Sequence, residues 1–411
     1  MIPTLPAENK ISKEKNFLIV LQENIESSSE LDYLIKNFCG TVVNNLSEIQ
    51  KPLENKIIYC CGDIEKLQHE GQIIWVIKEL SNSFENTESK NIRLIELGKV
   101  PILISNAGVY FREMFTGEDY FKTIKSEHEF QQLTEGNKES KALRKGIYLT
   151  EISKETTEKD SDALHFRLLR CSSNFTGPTD NFRSADHFII NTLNDAITHT
   201  FEKETKLNHV LAQIYENKIK SAENAKEVKS KIKAHSDKTK DMPKDGLIAF
   251  CTFYDQSNSE QLLPSKKDLY DWCYKQTSGL TRLHFKLKST VTDPDLDKEF
   301  SVTLYPNSAF LIPLSTNRLY THEIKPSVLN ADQIPIRLGY VARCSNLEAV
   351  FTNNQTFIKE NGELIKLEQM TEETMIYLRD SYYEENVSEK KIEYGKIHFS
   401  MNSGDYEKPI F

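Results

Sequence analysis

The apolar positions of this chain fall mostly into short runs of strand length, with one long stretch at helical spacing among them. Phe17–Leu21, Lys56–Cys60 and Ile73–Ile77 are apolar and rich in β-branched residues, and the polar stretch from Ser28 to Lys36 between two of them has helical spacing. The first 100 or so residues therefore predict a small α/β unit. It holds no phosphate-binding glycine loop, so its expected role is structural or partner-binding. An aromatic cluster between Val109 and Phe115 and a mixed run from Ala142 to Leu149 come next, both suited to packing against a neighbouring barrel. Glu151 to Asp162 is charged and poor in apolar residues, which predicts a linker or exposed loop. His165–Arg170 is strand-like, and Ser172–Asn181 is rich in turn residues. From Ser184 to Glu204, Phe188, Ile189, Leu193, Ile197 and Phe201 form the stripe of a helix with one face in a core.

Strand-length runs then recur at 207–215, 246–254, 281–288, 300–305, 310–313, 319–323 and 336–344, and about seven or eight short strands fit a jelly roll. Past Cys344, two strand runs flank Asn361-Gly362, a strong hairpin signal, and Thr371-Glu-Glu opens a helix running toward Tyr383. This tail is expected to be architectural, away from any site. The predicted organisation is an α/β region over 1–150, a jelly-roll domain over 151–350 and a hairpin-and-helix extension over 351–411.

Composition narrows the class without naming a function. The 411 residues are 38% hydrophobic and 27% charged, as in globular proteins. No apolar run approaches the roughly 18 residues of a membrane span, and the opening residues lack a signal-peptide layout. Seven cysteines, without a Cys-x-x-Cys pair, predict a reducing compartment, cytoplasmic or nuclear. The net charge of −9 is uneven: residues 218–244 hold nine lysines against four carboxylates. Such a basic segment could steer a polyanion, or it could be a solvated insertion with a short capped helix from Ser221. Cys251 and Cys344 fall on strands as small hydrophobes, and His128, His165, His187, His199, His209 and His284 lack a ligand constellation.

The candidate chemistry lies in five residues. His235-Ser236-Asp237 places two metal ligands on one side of an extended segment, and a later strand supplies His322. Two imidazoles and a carboxylate cover one face of an octahedral ferrous ion and leave the other open. Arg337 and Arg343, six apart on one strand, point the same way, and a guanidinium fork fits a carboxylate in two bonds.

Read together, these segments resemble the AlkB-like branch of the Fe(II)/2-oxoglutarate-dependent dioxygenases. Leu207-Asn-His-Val-Leu-Ala-Gln-Ile-Tyr215 is similar to the family strand of pattern F-N-x-x-L-x-N-x-Y, and His-Ser-Asp is a common form of its first two ligands. Ser301 to Pro326 resembles its strand, turn and strand carrying the second histidine, and Arg337-Leu-Gly-Tyr-Val-Ala-Arg343 has its R-x5-R spacing. The resemblance implies an α+β protein with a double-stranded β-helix (jelly roll) and buttressing helices, beside the smaller N-terminal α/β region. It implies that His235, Asp237 and His322 bind Fe(II) and that 2-oxoglutarate and O2 are cosubstrates. Arg337 would pair with the distal carboxylate of 2-oxoglutarate and Tyr215 would hydrogen-bond to it. Arg343 would lie near the chelating end, with Gln213 beside it.

The chain departs from the family in three places. Gln213 stands where asparagine is usual, and Gly339 replaces a polar residue between the arginines. Lys238-Thr-Lys-Asp241 comes directly after the triplet where members that repair nucleic acids carry acidic residues. The expected reaction is hydroxylation of a C–H bond on a protein side chain or small metabolite, with release of succinate and CO2. Oxidation of nucleic-acid bases, with residues 218–244 as the contact, and a non-catalytic jelly-roll binding module are the alternatives.

Overall fold

The computed structural model describes residues 8–21, 29–50, 52–67, 71–82, 91–134, 141–156, 162–170, 175–220, 226–258 and 260–411. It is a mixed α+β protein. The N-terminal apolar runs form a parallel sheet in the order Thr41–Val43, Asn16–Leu21, Ile57–Asp63, Ile74–Asn82, Ile92–Ile95. Continuous β-branched strands suit such a sheet because both of its faces are covered. On one face Phe17, Ile19, Ile58, Cys60 and Val76 pack with Ile49 and Ile64 from short connecting turns. On the other, Leu18, Val20, Tyr59 and Cys61 join Leu31 and Leu34 of the Ser29–Asn37 helix in one buried cluster that continues through Ile102, Tyr110 and Phe310. The α/β region thus shares a core with the sheets C-terminal to it.

Residues 102–150, grouped with the N-terminal region on sequence, supply Ile102–Ile104, Gly108–Phe111, Gln131–Thr134 and Lys141–Thr150 to a nine-stranded sheet. Its centre runs Lys141–Thr150, His209–Tyr215, Arg337–Arg343, Leu247–Tyr254, Ser308–Pro313, all antiparallel neighbours. A four-stranded sheet, Ile232–His235, Tyr320–Lys325, Arg282–Leu287, Glu299–Thr303, packs on it through Phe250, Phe285 and Phe310. Alternation along each strand decides the rest. Val210, Ala212, Ile214, Leu338, Tyr340 and Ala342 face the Ser184–Thr200 helix, which contributes Ile189, Ile190, Leu193 and Ile197. The residues between them, including Arg337, Gly339 and Arg343, lie on the opposite face. Phe188, expected in the helix stripe, is about half exposed and stacks on Tyr120; one residue is a turn of about 100°, which carries it to the edge of the buried face.

Two stretches differ from their sequence reading. The charged run from Glu151 is no simple loop. Ser153–Thr156 pairs with Asp162–Leu168, and this hairpin joins Leu347–Thr352, Gln355–Glu360 and Glu363–Lys366 in a five-stranded sheet. Its polar residues are those of an edge hairpin exposed on one side. The Asn361-Gly362 turn is present, with φ of 53° and 86°. The helix expected from Ser221 falls largely outside the described residues, and Val228 pairs with Lys218 in a β-bridge.

Behind the large sheet, His128 is buried between two carboxylates, Nδ1 2.7 Å from Asp180 and Nε2 2.9 Å from Asp186. The Tyr340 hydroxyl donates to the other Asp186 oxygen. Burial would lower the His128 pKa, but the two carboxylates outweigh it and raise it from 6.5 to about 9. With Glu127 nearby the group has the composition of a metal site, yet both ring nitrogens are already taken. A raised folded-state pKa gives stabilisation that is full below pH 6.5 and lost as pH rises through 9. Thermal stability is therefore expected to fall across that window more in the wild type than in His128→Asn. Parallel Tm-versus-pH curves would contradict this.

Candidate metal centre

The Ile232–His235 strand ends at the first residue of the triplet and pairs His235 with His322 on Tyr320–Lys325. Cross-strand pairing is what brings the two imidazoles together from 87 residues apart in the chain, ring centroids 4.5 Å apart. His235 Nε2 lies 3.6 Å and His322 Nε2 3.9 Å from the same Asp237 oxygen, Oδ1. One ligand atom from each of the three residues falls within 4.8 Å of the other two. The Lys233 carbonyl accepts from His235 Nδ1 at 2.9 Å, which turns Nε2 toward the centre.

The second Asp237 oxygen is held by Arg343, Nε at 2.8 Å and Nη2 at 2.7 Å. Oδ1 is thereby left for the imidazoles. Burial would push the Asp237 carboxyl up, but Arg343, His235 and His322 hold it well below the usual carboxylate range. Burial, reinforced by His235, lowers His322 to about 3. The centre thus presents a carboxylate and a neutral buried imidazole, the protonation states a metal ion needs. Phe250 and Phe285 flank the His322 ring at 5.2 and 5.6 Å and keep water from that side.

Arg337 is buried on the same face of its strand as Arg343. Its guanidinium lies 3.9 Å from the centroid of the Tyr215 ring, and Nη2 has no hydrogen-bond partner. Gly339 makes this placement feasible, since a Cβ there would stand 2.8 Å from Arg337 Nη1 and 3.1 Å from Tyr215. The glycine between the two arginines therefore has a steric reason. The Tyr215 hydroxyl donates to Gln213 Oε1 at 2.8 Å, so these two residues meet each other beside Arg337. Of the seven sequence-selected residues, Gln213, Tyr215, His322, Arg337 and Arg343 are buried on strands of the two sheets, Asp237 is buried in the loop after its strand, and His235 closes that strand about one-third exposed.

Three contributors escaped sequence reading. Thr252 is buried in register with Gly339, its hydroxyl without a partner; strand alternation from Phe250 would have found it. Asn317 accepts the Asp237 N–H at 2.8 Å and donates to the Asp237 carbonyl at 2.9 Å. Asn386 accepts the Ser236 N–H at 2.9 Å. That last contact corrects the expectation that the chain leaves the site after Cys344. The lysine-rich segment is also corrected in part. Lys238 and Lys240 turn inward, Lys238 to the Tyr382 carbonyl and Asn386, Lys240 to Asp241. Lys218, Lys220, Lys226, Lys231, Lys233 and Lys244 are exposed.

No family model matches the chain, and no curated protein does. One solved structure, described as that of OsALKBH1, is similar over 58% of this chain and 96% of that one, at 12% identity and a TM-score of 0.33. A likeness at that score carries no argument about function. Among the described residues, no helix is long and apolar enough to cross a membrane.

Proposed function

We propose that the chain is an Fe(II)- and 2-oxoglutarate-dependent oxygenase, its two packed sheets forming a double-stranded β-helix around the ion. The observation that carries this reading is the convergence of His235, Asp237 and His322, with Asp237 oriented by Arg343. The donor set fits the metal, since two imidazole nitrogens and one carboxylate suit a ferrous ion that must keep open positions. The fit for a diacid rests on Arg337, a buried cation whose Nη2 is unsatisfied and which has the unpaired Thr252 hydroxyl on the adjoining strand. Bound iron with 2-oxoglutarate and O2 would supply oxidative hydroxylation of a C–H bond, with loss of CO2 and formation of succinate.

The residues divide the remaining work. Asp237, His235 and His322 hold the ion, and Arg343 fixes which Asp237 oxygen faces it. Arg337, supported by Tyr215, Gln213 and Thr252, anchors the far end of the diacid. Phe250 and Phe285 exclude water. The substrate class we favour is a protein side chain or small metabolite, because Lys238 and Lys240 are spent on internal contacts. Exposed Lys231 and Lys233 beside the ligand strand favour nucleic acid as the second reading.

Succinate release from 2-oxoglutarate, with fresh ferrous iron and ascorbate, tests both. Amino acids, peptides and methylated oligonucleotides are offered in turn, with His235→Ala as control. Turnover is expected in the wild type, lost in the variant and stimulated by one substrate class. Stimulation by oligonucleotides that weakens steeply with salt would select the second reading. A wild type that releases no succinate under any of these conditions would make the chain a binding module.

A further inference from the structure

The loop bearing the metal triplet is gripped along its length by the far end of the chain. Ser236 N–H, between the two ligands, donates to Asn386 Oδ1 at 2.9 Å, and the buried Lys238 ammonium donates to the same oxygen at 2.8 Å. The Thr239 N–H donates to Glu385 Oε1 at 3.1 Å and its hydroxyl to the same atom. Asp241, at the end of the loop, takes Arg170 Nη2 and Nε at 2.8 and 3.1 Å. Arg170 Nη1 in turn donates to the carbonyls of Ile397 and Phe399, and its own carbonyl accepts from Tyr382.

The Ser236, Lys238 and Thr239 contacts gather at the C-terminal end of the Glu372–Val387 helix. Its C-terminal carbonyls attract cations. Lys238 donates to the Tyr382 carbonyl at 2.9 Å, and Lys288 to those of Glu385 and Ser388 at 2.6 and 3.0 Å. Lys288 comes directly after the Arg282–Leu287 strand, which pairs with the His322 strand. One helix end is therefore tied directly to the segment carrying His235 and Asp237 and, through Lys288, to the strand that pairs with that of His322. Asn386 sits where this tie meets the peptide between His235 and Asp237.

Resting on the proposed metal centre, we infer that Asn386 is a positioning residue. Its amide oxygen fixes the His235–Asp237 peptide, so that the C-terminal helix sets the affinity of the centre for its ion. Asn317 holds the neighbouring Asp237 peptide by two bonds, which leaves the Ser236 N–H to Asn386.

The experiment uses the full chain with Co(II) as the metal probe, following affinity by titration and ligand geometry by the visible Co(II) spectrum. Partners that orient metal ligands typically govern 10- to 100-fold in affinity. Asn386→Ala is expected to weaken Co(II) binding by about 10- to 100-fold and to alter the spectrum. Asn386→Asp retains the acceptor for both donors and is expected to recover the wild-type spectrum. If the alanine variant does not fold, Asn386→Gln, which displaces the amide by one methylene, carries the same expectation. Tyr383→Ser, on the exposed side of the same helix, should leave binding unchanged. Wild-type affinity in Asn386→Ala, or an aspartate variant as weak as the alanine one, would overturn the inference alone. A wild type that does not bind Co(II) would overturn the metal centre as well.

Discussion

Asp237→Ala is expected to abolish metal binding and, independently, to destabilise the chain without any metal present. The two losses have separate causes. Asp237 supplies the carboxylate that both imidazoles face, and it is the partner of Arg343, at 2.7 and 2.8 Å, in a setting where both side chains are buried. Removing one member of a buried ion pair typically costs about 3–5 kcal/mol, because the remaining charge stays out of water without compensation. His235→Ala is the informative comparison. Its ring is about one-third exposed, and its Nδ1 hydrogen-bonds to the Lys233 carbonyl, so its removal should eliminate metal binding with little loss of stability. Urea unfolding of both variants without metal, together with Co(II) titration, separates the two effects. Equal stability of the two variants would mean that Asp237 is not the counter-charge of Arg343.

The asymmetry between these ligands arises from which parts of the centre are local in sequence. Arg337 and Arg343 are six apart on one strand, so alternation puts both on one face, and His235 and Asp237 are neighbours in sequence, two apart across the end of theirs. The shared face of Tyr215 and Gln213 obeys the same rule of alternation, and His322 needs only that its strand pair with the one ending at His235. Contact between distant segments is the part that sequence hides. Lys238 and Lys240 read as solvent-facing charges, because the Tyr382 carbonyl and Asn386 amide that receive Lys238 stand more than 140 residues downstream. The C-terminal helix reads as an appendage for the same reason. Its working groups are backbone carbonyls and the side chains of Asn386, Glu385 and Tyr382, polar residues that read as a solvent-facing surface. The pairing of residues before 150 with the later strands is hidden on similar grounds. The aromatic run from Val109 and the run from Ala142 look like material of a separate unit until Gly108–Phe111 and Lys141–Thr150 are seen hydrogen-bonded into the sheet that bears Arg337. Gly339 is the converse case. On sequence it is a lost hydrogen bond, but in the fold it is the space that Arg337 occupies.

Arg337→Leu is expected to leave the chain without diacid as stable as the wild type, or more so, while removing its affinity for 2-oxoglutarate. The surroundings of the guanidinium give the reason. It is buried, stacked on Tyr215 with Nη2 unsatisfied, and no described carboxylate lies within ion-pair distance of it. A buried cation in that position costs free energy until an anion arrives. Leucine removes the cost and fills part of the volume, so the unfolding midpoint should hold or rise. Truncating one partner of a buried charge pair, by contrast, costs binding about 2–5 kcal/mol or more, which is about 30-fold or more in Kd. Titration of 2-oxoglutarate in the presence of Mn(II), beside thermal unfolding with and without the diacid, reads both quantities. The wild type should gain stability on adding the diacid and the variant should not. A variant that loses stability while keeping its affinity would make Arg337 a structural residue and leave the diacid without its anchor.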